Sequence, residues 1–258
     1  MEILVCIKQV PDDSVEISLN SETGKPALEE ITQIVNAFDT YALEMATRMK
    51  EAVGGEVVVV SIGDESVKNS LKNCLAVGGD KAFLVKHENV EKLDAKGIAK
   101  VLVNAKDEIE GKLGVKFDMI FCGKEATDYA TSQVGLMLAD ELKVPVVTNV
   151  VDVELKENLV DIKQEIDEGY NVIETSIPCV VTVQKPNYEP RYPTIKTKMQ
   201  ARKKPIEEIS LEIEELNPVE IIKVYEPVKR SAGVKIKAET VEEAVSQAMK
   251  MMVEAKVL

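Results

Sequence analysis

Between residues 3 and 150, apolar runs of strand length at 3–10, 56–62, 82–85, 117–122 and 144–150 alternate with longer stretches whose apolar residues recur every three or four positions. Few architectures accept that alternation. It predicts a parallel sheet with helices on both faces, since each parallel connection needs a crossover long enough to hold a helix. The spacing predicts a first helix over 36–52, with Phe38, Tyr41, Ala42, Met45 and Met49 on its core stripe. A second, over 64–77, turns Val67, Leu71, Cys74 and Leu75 inward and ends at Gly78-Gly79, a pair suited to left-handed cap geometry. A third is expected over 90–113 and a fourth over 132–142. After residue 150 the runs 151–155, 159–166, 172–175 and 179–184 follow without helices between them, separated by Glu157-Asn158, Glu168-Gly169 and Pro178. These read as antiparallel hairpins extending the sheet. The expected fold is therefore α/β: a doubly wound, mostly parallel sheet with an antiparallel hairpin extension and a C-terminal helical arm.

Residues 1–184 form the expected nucleotide-binding unit, and 185–209 differ from it in character. Pro186, Pro190, Pro193 and Pro205 exclude a central strand, or one helix throughout. Arg191, Lys196, Lys198, Arg202, Lys203 and Lys204 reverse the local charge of a chain whose net charge is −13, which marks either a solvated loop or a docking surface. An irregular tail then leads to a helix expected over 239–255, with Val241, Ala244, Val245, Ala248, Met251 and Met252 on one stripe. It reads as an arm reaching for another surface, with a helix packing on its own chain as the alternative.

The acidic balance argues against nucleic acid as a partner, because phosphate-backbone binding rests on clustered positive charge. The four cysteines, Cys6, Cys74, Cys122 and Cys179, are widely spaced, and His87 is the only histidine, so no Cys/His metal site is expected. His87 lies in the polar run KHENVEK, a poor setting for a catalytic base. No run approaches about 18 uninterrupted apolar residues, and no signal peptide is visible, so a cytoplasmic protein without a membrane span is expected. Chemistry, if present, belongs to a bound cofactor.

In open α/β sheets ligands sit beyond the carboxyl ends of strands where the strand order reverses. The stretch FDMIFCGKEATDYATSQVG carries a buried strand through Gly123, over a polar loop, into a helix start at Thr131, Ser132, Gln133, Val134 and Gly135. Unpaired N–H groups and the helix dipole there suit a phosphate or pyrophosphate. Neither the G-x-G-x-x-G nor the Walker spacing is present.

GKEATDYATSQVG, with VCIKQV, NAFDTYALE, IKQEIDEGYNVIETSIPCVVTVQKPNYEPRY and KMQARKKPIEE, resembles the β subunit of electron transfer flavoprotein across residues 3–209. The resemblance implies a heterodimer whose β subunit binds an adenine nucleotide while the α subunit holds FAD near the interface. The β-subunit nucleotide is AMP in respiratory members and a second FAD in electron-bifurcating members, which accept hydride from NADH. It further implies that Cys6 lies on the nucleotide, that Asn36, Ala37, Phe38 and Asp39 contact its adenosine end, and that Ile62 and Gly63 line the crevice. Gly123, Lys124, Asp128, Thr131, Ser132, Gln133, Val134 and Gly135 would wrap the phosphates. Ser132-Gln133-Val134-Gly135 is closer to the FAD-holding relatives than to the Asn-Gln-Thr form of AMP-holding ones, whereas Asp128-Tyr129-Ala130-Thr131 departs from the Asp-Gly-Asp-Thr of many bifurcating relatives. The basic segment resembles the family's recognition loop. Glu189, Arg191, Tyr192, Ile195 and Lys196 would meet an acyl-CoA dehydrogenase or related redox enzyme, with Ile195 as the aliphatic anchor, and the C-terminal arm would wrap the α subunit. The resulting expectation is an electron carrier between NADH or an acyl-CoA dehydrogenase and a partner enzyme. Two other readings are a nucleotide-hydrolysing enzyme and an AMP-sensing adaptor without redox work.

Overall fold

The chain was described as a computed structural model covering residues 1–258 apart from 88–89, 158, 212–218, 220 and 229–231. Residues 88 and 89 of the His87 run, Asn158 of an expected turn and parts of the tail thus lie outside the described residues. The elements in order are β1 (Glu2–Cys6), β2 (Gln9–Pro11), β3 (Gln33–Val35), α1 (Ala37–Val53), β4 (Glu56–Gly63), α2 (Val67–Val77), β5 (Lys81–Lys86), α3 (Ala95–Leu113), β6 (Met119–Gly123), α4 (Val134–Leu142) and β7 (Val146–Lys156). They continue with β8 (Leu159–Ile166), β9 (Gly169–Ser176), β10 (Cys179–Val183), α5 (Ile195–Lys203), β11 (Glu207–Ile209) and α6 (Val241–Glu254).

A nine-stranded sheet runs β11-β5-β4-β1-β6-β10-β7-β8-β9, parallel as far as β7 and antiparallel across β8 and β9. The alternation of side chains along each strand divides the core in two. Ile3, Val5, Val57 and Val59 pack under α1 and α2, while Leu4, Val58, Val60 and Ile120 pack under α3 and α4. Each fully buried Val, Leu or Ile contributes about 1.5–3 kcal/mol, which is why strands covered on both faces read as nearly continuous apolar runs. From β1 the chain winds through β4 to β5 on one side, then returns to lay β6 on the other. The strand order therefore reverses between β1 and β6, and that is where the site is expected.

The α/β class, the hairpin extension and the terminal helix agree with expectation, and four details differ. The first run, 3–10, breaks after Cys6, and Gln9–Pro11 pairs antiparallel with Gln33–Val35 in a separate ribbon. The third helix begins at Ala95, capped by the Asp94 carboxylate, which accepts from Gly97 N, after a 3-10 turn over Val90–Lys92. The run 179–184 is not a hairpin arm: β10 inserts between β6 and β7, parallel to both, and all five of its residues are buried. A central position follows physically from CVVTV, which offers no polar face to water. Finally, the basic segment is bracketed by proline around a helix. Pro193 precedes the Thr194 cap of α5 and Pro205 follows its end, so no proline falls inside the helix, and β11 returns to the sheet on β5. The terminal helix α6 has a Thr240 cap and no buried residue; Val241, Val245, Met251 and Met252 of its apolar stripe are exposed, and Ala244 and Ala248 half-buried.

Two glycines give opposite expectations. A Cβ at Gly111, inside α3, meets nothing within 4 Å, so Gly111→Ala should stabilise the protein by about 0.5–1 kcal/mol. At Gly78 (φ 153°) a Cβ would overlap the Thr47 side chain, and Gly78→Ala should destabilise by about 1–3 kcal/mol. Urea unfolding of the two variants decides both signs.

Candidate functional site

Strands β1 and β6 lie in parallel register, with Val5 opposite Phe121, so Cys6 and Cys122 end side by side on the face beneath α4. The Cys6 thiol is raised well above its usual range by a hydrogen bond with Cys122 and by burial. The Cys6 thiol is therefore neutral at ordinary pH, and with Cys122 beside it makes a floor, not a nucleophile.

From the opposite face of the sheet α1 brings its N-terminus to the same strand ends. Asn36 occupies the N-cap position but does not cap its own helix with its side chain. Only 1% exposed, its amide instead donates to Glu125 O (2.8 Å) and accepts from Thr127 N (3.1 Å), holding the loop that leaves β6. One turn on, Asp39 accepts from Lys8 N (2.7 Å) with one carboxylate oxygen and from Gly123 N (3.0 Å) with the other. Asn36 N closes the circuit on Lys8 O (2.9 Å). Two side chains from one helical turn thus fasten the segments leaving both strands. Burial lifts the Asp39 carboxyl to about 7 against the pull of the Lys8, Asn36 and Gly123 hydrogen bonds.

Gly123 is required by this packing: a Cβ there would run into the Asp39 carboxylate and Phe38 Cβ. Beyond it Lys124 N donates to Val183 O (2.8 Å), tying the loop to β10. The Lys8 ammonium reaches Asp128 at 2.7 and 2.8 Å and lies 4.7 Å from the centre of the Tyr129 ring. Ser132 Oγ donates to Glu125 Oε2 (2.6 Å). Ala130 (φ 48°) and Ser132 (φ 53°) sit in the left-handed region, where non-glycine residues are uncommon and concentrate at binding loops. The helix that follows, α4, has Gln133 as its N-cap, and the Gln133 side chain makes no cap hydrogen bond. A Cβ on Gly135 would come within 2.5 Å of Thr182 Cγ2, so the helix start is pressed against β10 and the Cys122 side of the floor. The β1 and β6 ends thus bring together the Gln133 start of α4, the Lys8 ammonium and the buried Asp39 carboxyl.

Of the residues expected in this site, Cys6, Asn36, Asp39, Gly123, Lys124, Asp128, Ser132, Gln133, Val134 and Gly135 gather around the β1 and β6 ends, with Phe38 against Gly123 and exposed Ala37 and Thr131 on the rim. Ile62 and Gly63 stand one strand over, at the end of β4, where Gly63 abuts Val67 of α2. Ser61, beside them, is buried with its hydroxyl unpartnered among the described residues. Sequence reasoning missed Lys8, Glu125 and Thr127. Lys8 was available from its place after β1, but Glu125 and Thr127 matter through contacts with residues far along the chain. In the expected partner set, Ile195 (82% exposed), Lys196 and Tyr192 face solvent. Glu189 pairs with Lys185 at 3.3 Å, and Arg191 turns inward onto α1.

Comparisons with known proteins bear on the same residues. The electron transfer flavoprotein domain model matches residues 27–214. The chain is 32% identical to an electron transfer flavoprotein subunit beta of Megasphaera elsdenii over the whole of both chains. It is 33% identical to a subunit of the caffeyl-CoA reductase-Etf complex of Acetobacterium woodii over 94% of each chain. It is 30% identical to the electron transfer subunit gamma of acryloyl-CoA reductase of Anaerotignum propionicum, over 96% of this chain and 98% of that one.

The raised Asp39 pKa has a definite sign. The native carboxyl holds its proton up to about 7, whereas the unfolded chain releases it near 3.8, so between those values the native state binds more protons. Stability contributed through Asp39 should therefore be greatest at the acid side of that window and fall as pH rises to about 7. Unfolding curves of wild type and Asp39→Asn at pH 5 and pH 8 test this: the wild type should lose more on going to pH 8 than the variant does. Equal losses would show that Asp39 is ionised throughout.

Proposed function

The chain belongs to the electron transfer flavoprotein family as a relative of its β subunits, its work is electron transfer, and from that premise we propose that the crevice between β1 and β6 holds the adenine-nucleotide part of FAD. The uncapped start of α4, pressed onto β10 at Gly135, supports this reading most directly. Its unpaired N–H groups and helix dipole favour a diphosphate over a neutral ligand. The residues present fit such a group. Backbone amides 133–136 offer donors, Lys8 supplies a cation already placed by Asp128, and Asn36 and Asp39 hold the walls apart without spending side chains on α1 itself.

Bound flavin supplies reversible uptake of hydride and transfer of single electrons. The protein's part is placement and exclusion. Neutral Cys6 puts no thiolate beside the cofactor, and buried Asp39 keeps the two strand ends in fixed relation. NADH is the proposed hydride donor, and an α subunit carrying a further FAD completes the carrier. An acyl-CoA dehydrogenase or related reductase is the partner, in line with the CoA-reductase complexes to which two of the relatives belong. Exposed α6 is the proposed contact to the α subunit, and exposed Ile195 on α5 the contact to the redox partner.

Mass spectrometry of small molecules released from the denatured heterodimer tests the reading. Two FAD per heterodimer and bleaching of the yellow complex by NADH are expected. One FAD with one AMP would make it a simple carrier, and no nucleotide at all would remove the site. Ser132→Trp, which crowds the start of α4, should lower nucleotide content at least about tenfold, a loss of the size expected for a removed bidentate phosphate contact. Full stoichiometry in that variant would move the site elsewhere.

A further inference from the structure

We propose that Arg191 is a positioning residue: it locks the segment entering α5 onto α1, so that the docking helix is held in its working place before any partner arrives. This rests on the reading that α5 meets the redox partner. Arg191 N and Nε both donate to Glu44 Oε2 (3.1 and 2.8 Å), and Nη2 donates to Glu44 Oε1 (3.2 Å). Nη1 and Nη2 donate to the two oxygens of Glu51 (2.6 and 3.0 Å). The guanidinium fork is thereby spent on its own chain, leaving little to offer a partner.

Glu44 makes the argument independent of surface charge. It is 3% exposed, in the middle of α1, and no partner can touch it. It is bracketed from the other side by Arg48 Nε (2.7 Å), whose guanidinium lies 3.9 Å from the centre of the Tyr188 ring. A buried carboxylate between two arginines is a directional joint, since removing either partner leaves the other side of a buried pair uncompensated. The far end of α5 is fastened separately. Lys72 of α2 donates to the carbonyls of Ala201 (3.2 Å), Arg202 (3.3 Å) and Lys204, and Lys204 Nζ donates to Gly79 O (2.9 Å). Thr194 and Thr197 close a capping box at the start. A helix of nine residues, with only Ala201 buried, would not hold together alone in water. Held at both ends, it presents Ile195 and Met199 outward. The same helix α1 carries Asn36 and Asp39 at its other end, so the clamp also fixes α5 relative to the crevice.

The test uses the intact heterodimer in wild-type form and with Arg191→Met, Arg191→Lys, Glu44→Gln, Glu51→Gln and Ile195→Ser. Two readouts are taken: the rate of tryptic cleavage within α5 under native conditions, and KM and kcat with an acyl-CoA dehydrogenase, reduced by its acyl-CoA, as electron donor. Arg191→Met and Glu44→Gln should each raise KM about tenfold with kcat nearly unchanged, because ordering the helix becomes part of binding. Cleavage should accelerate about as much, nucleotide content should stay constant, and the double variant should add little to either single one. Arg191→Lys, which keeps the charge and loses the fork, should resemble Arg191→Met. Glu51→Gln, at an exposed position, gives a milder version of the same pattern if Glu44→Gln folds poorly. Should Arg191→Met raise KM while both Glu variants leave KM and cleavage at wild-type values, Arg191 touches the partner directly and the proposal is overturned. An unchanged KM in Ile195→Ser would sink the docking reading instead, and with it the functional half of the proposal, while unchanged cleavage in Glu44→Gln would remove the clamp itself.

Discussion

A carboxylate out of water, shared between the backbone amides that leave two neighbouring strands, is the constraint on which the rest of this structure depends. Asp39 accepts from Lys8 N and Gly123 N, and Asn36, three residues earlier, grips Glu125 and Thr127. Where strand order reverses in an open sheet, the chain ends splay and leave a gap. Here one turn of α1 spans that gap and sets its width. Burying the carboxyl group works against its charge, which is why its proton is held to about 7, but removing its partners would leave buried amides unpaired on both strands.

Helix α1 therefore does more than cover the sheet. Its inner stripe, Ala42, Leu43, Met45, Ala46 and Met49, belongs to the core, its first turn closes the crevice, and Glu44 and Glu51 reach the segment before α5. One rigid element touches both the β1 and β6 strand ends and the segment before α5. Electron transfer depends on the distance between carriers, and a helix braced on the core varies that distance less than a loop does. In a chain of net charge −13, the cations around α5 form a local patch of opposite sign to the rest.

Much of this was legible in the residues. The strand runs and helical stripes of the first 150 positions fall within a few residues of the observed elements, because burial on both faces of a parallel sheet leaves a pattern that local chemistry cannot imitate. GKEATDYATSQVG spans the end of β6 at Gly123 and the start of α4 at Val134, two residues later than the expected helix start. What misled was strand order. CVVTV follows a hairpin in sequence and looks like its next arm, yet its lack of any polar face sends it to the middle of the sheet. Arg191 was legible only in part: its place in a basic run is plain, but nothing local announces Glu44 and Glu51, some 140 residues away in the chain.

The sequence by itself determined which segments become strand and helix and which faces are buried, since these are set by side-chain periodicity. Only the tertiary structure decided that Lys8, Asn36, Asp39 and Glu125 share one crevice, that β10 lies between β6 and β7, and that Arg191 faces inward. Those are matters of which distant groups meet. A hydrogen bond across a hundred residues depends on the path of the whole backbone, and no local pattern encodes it.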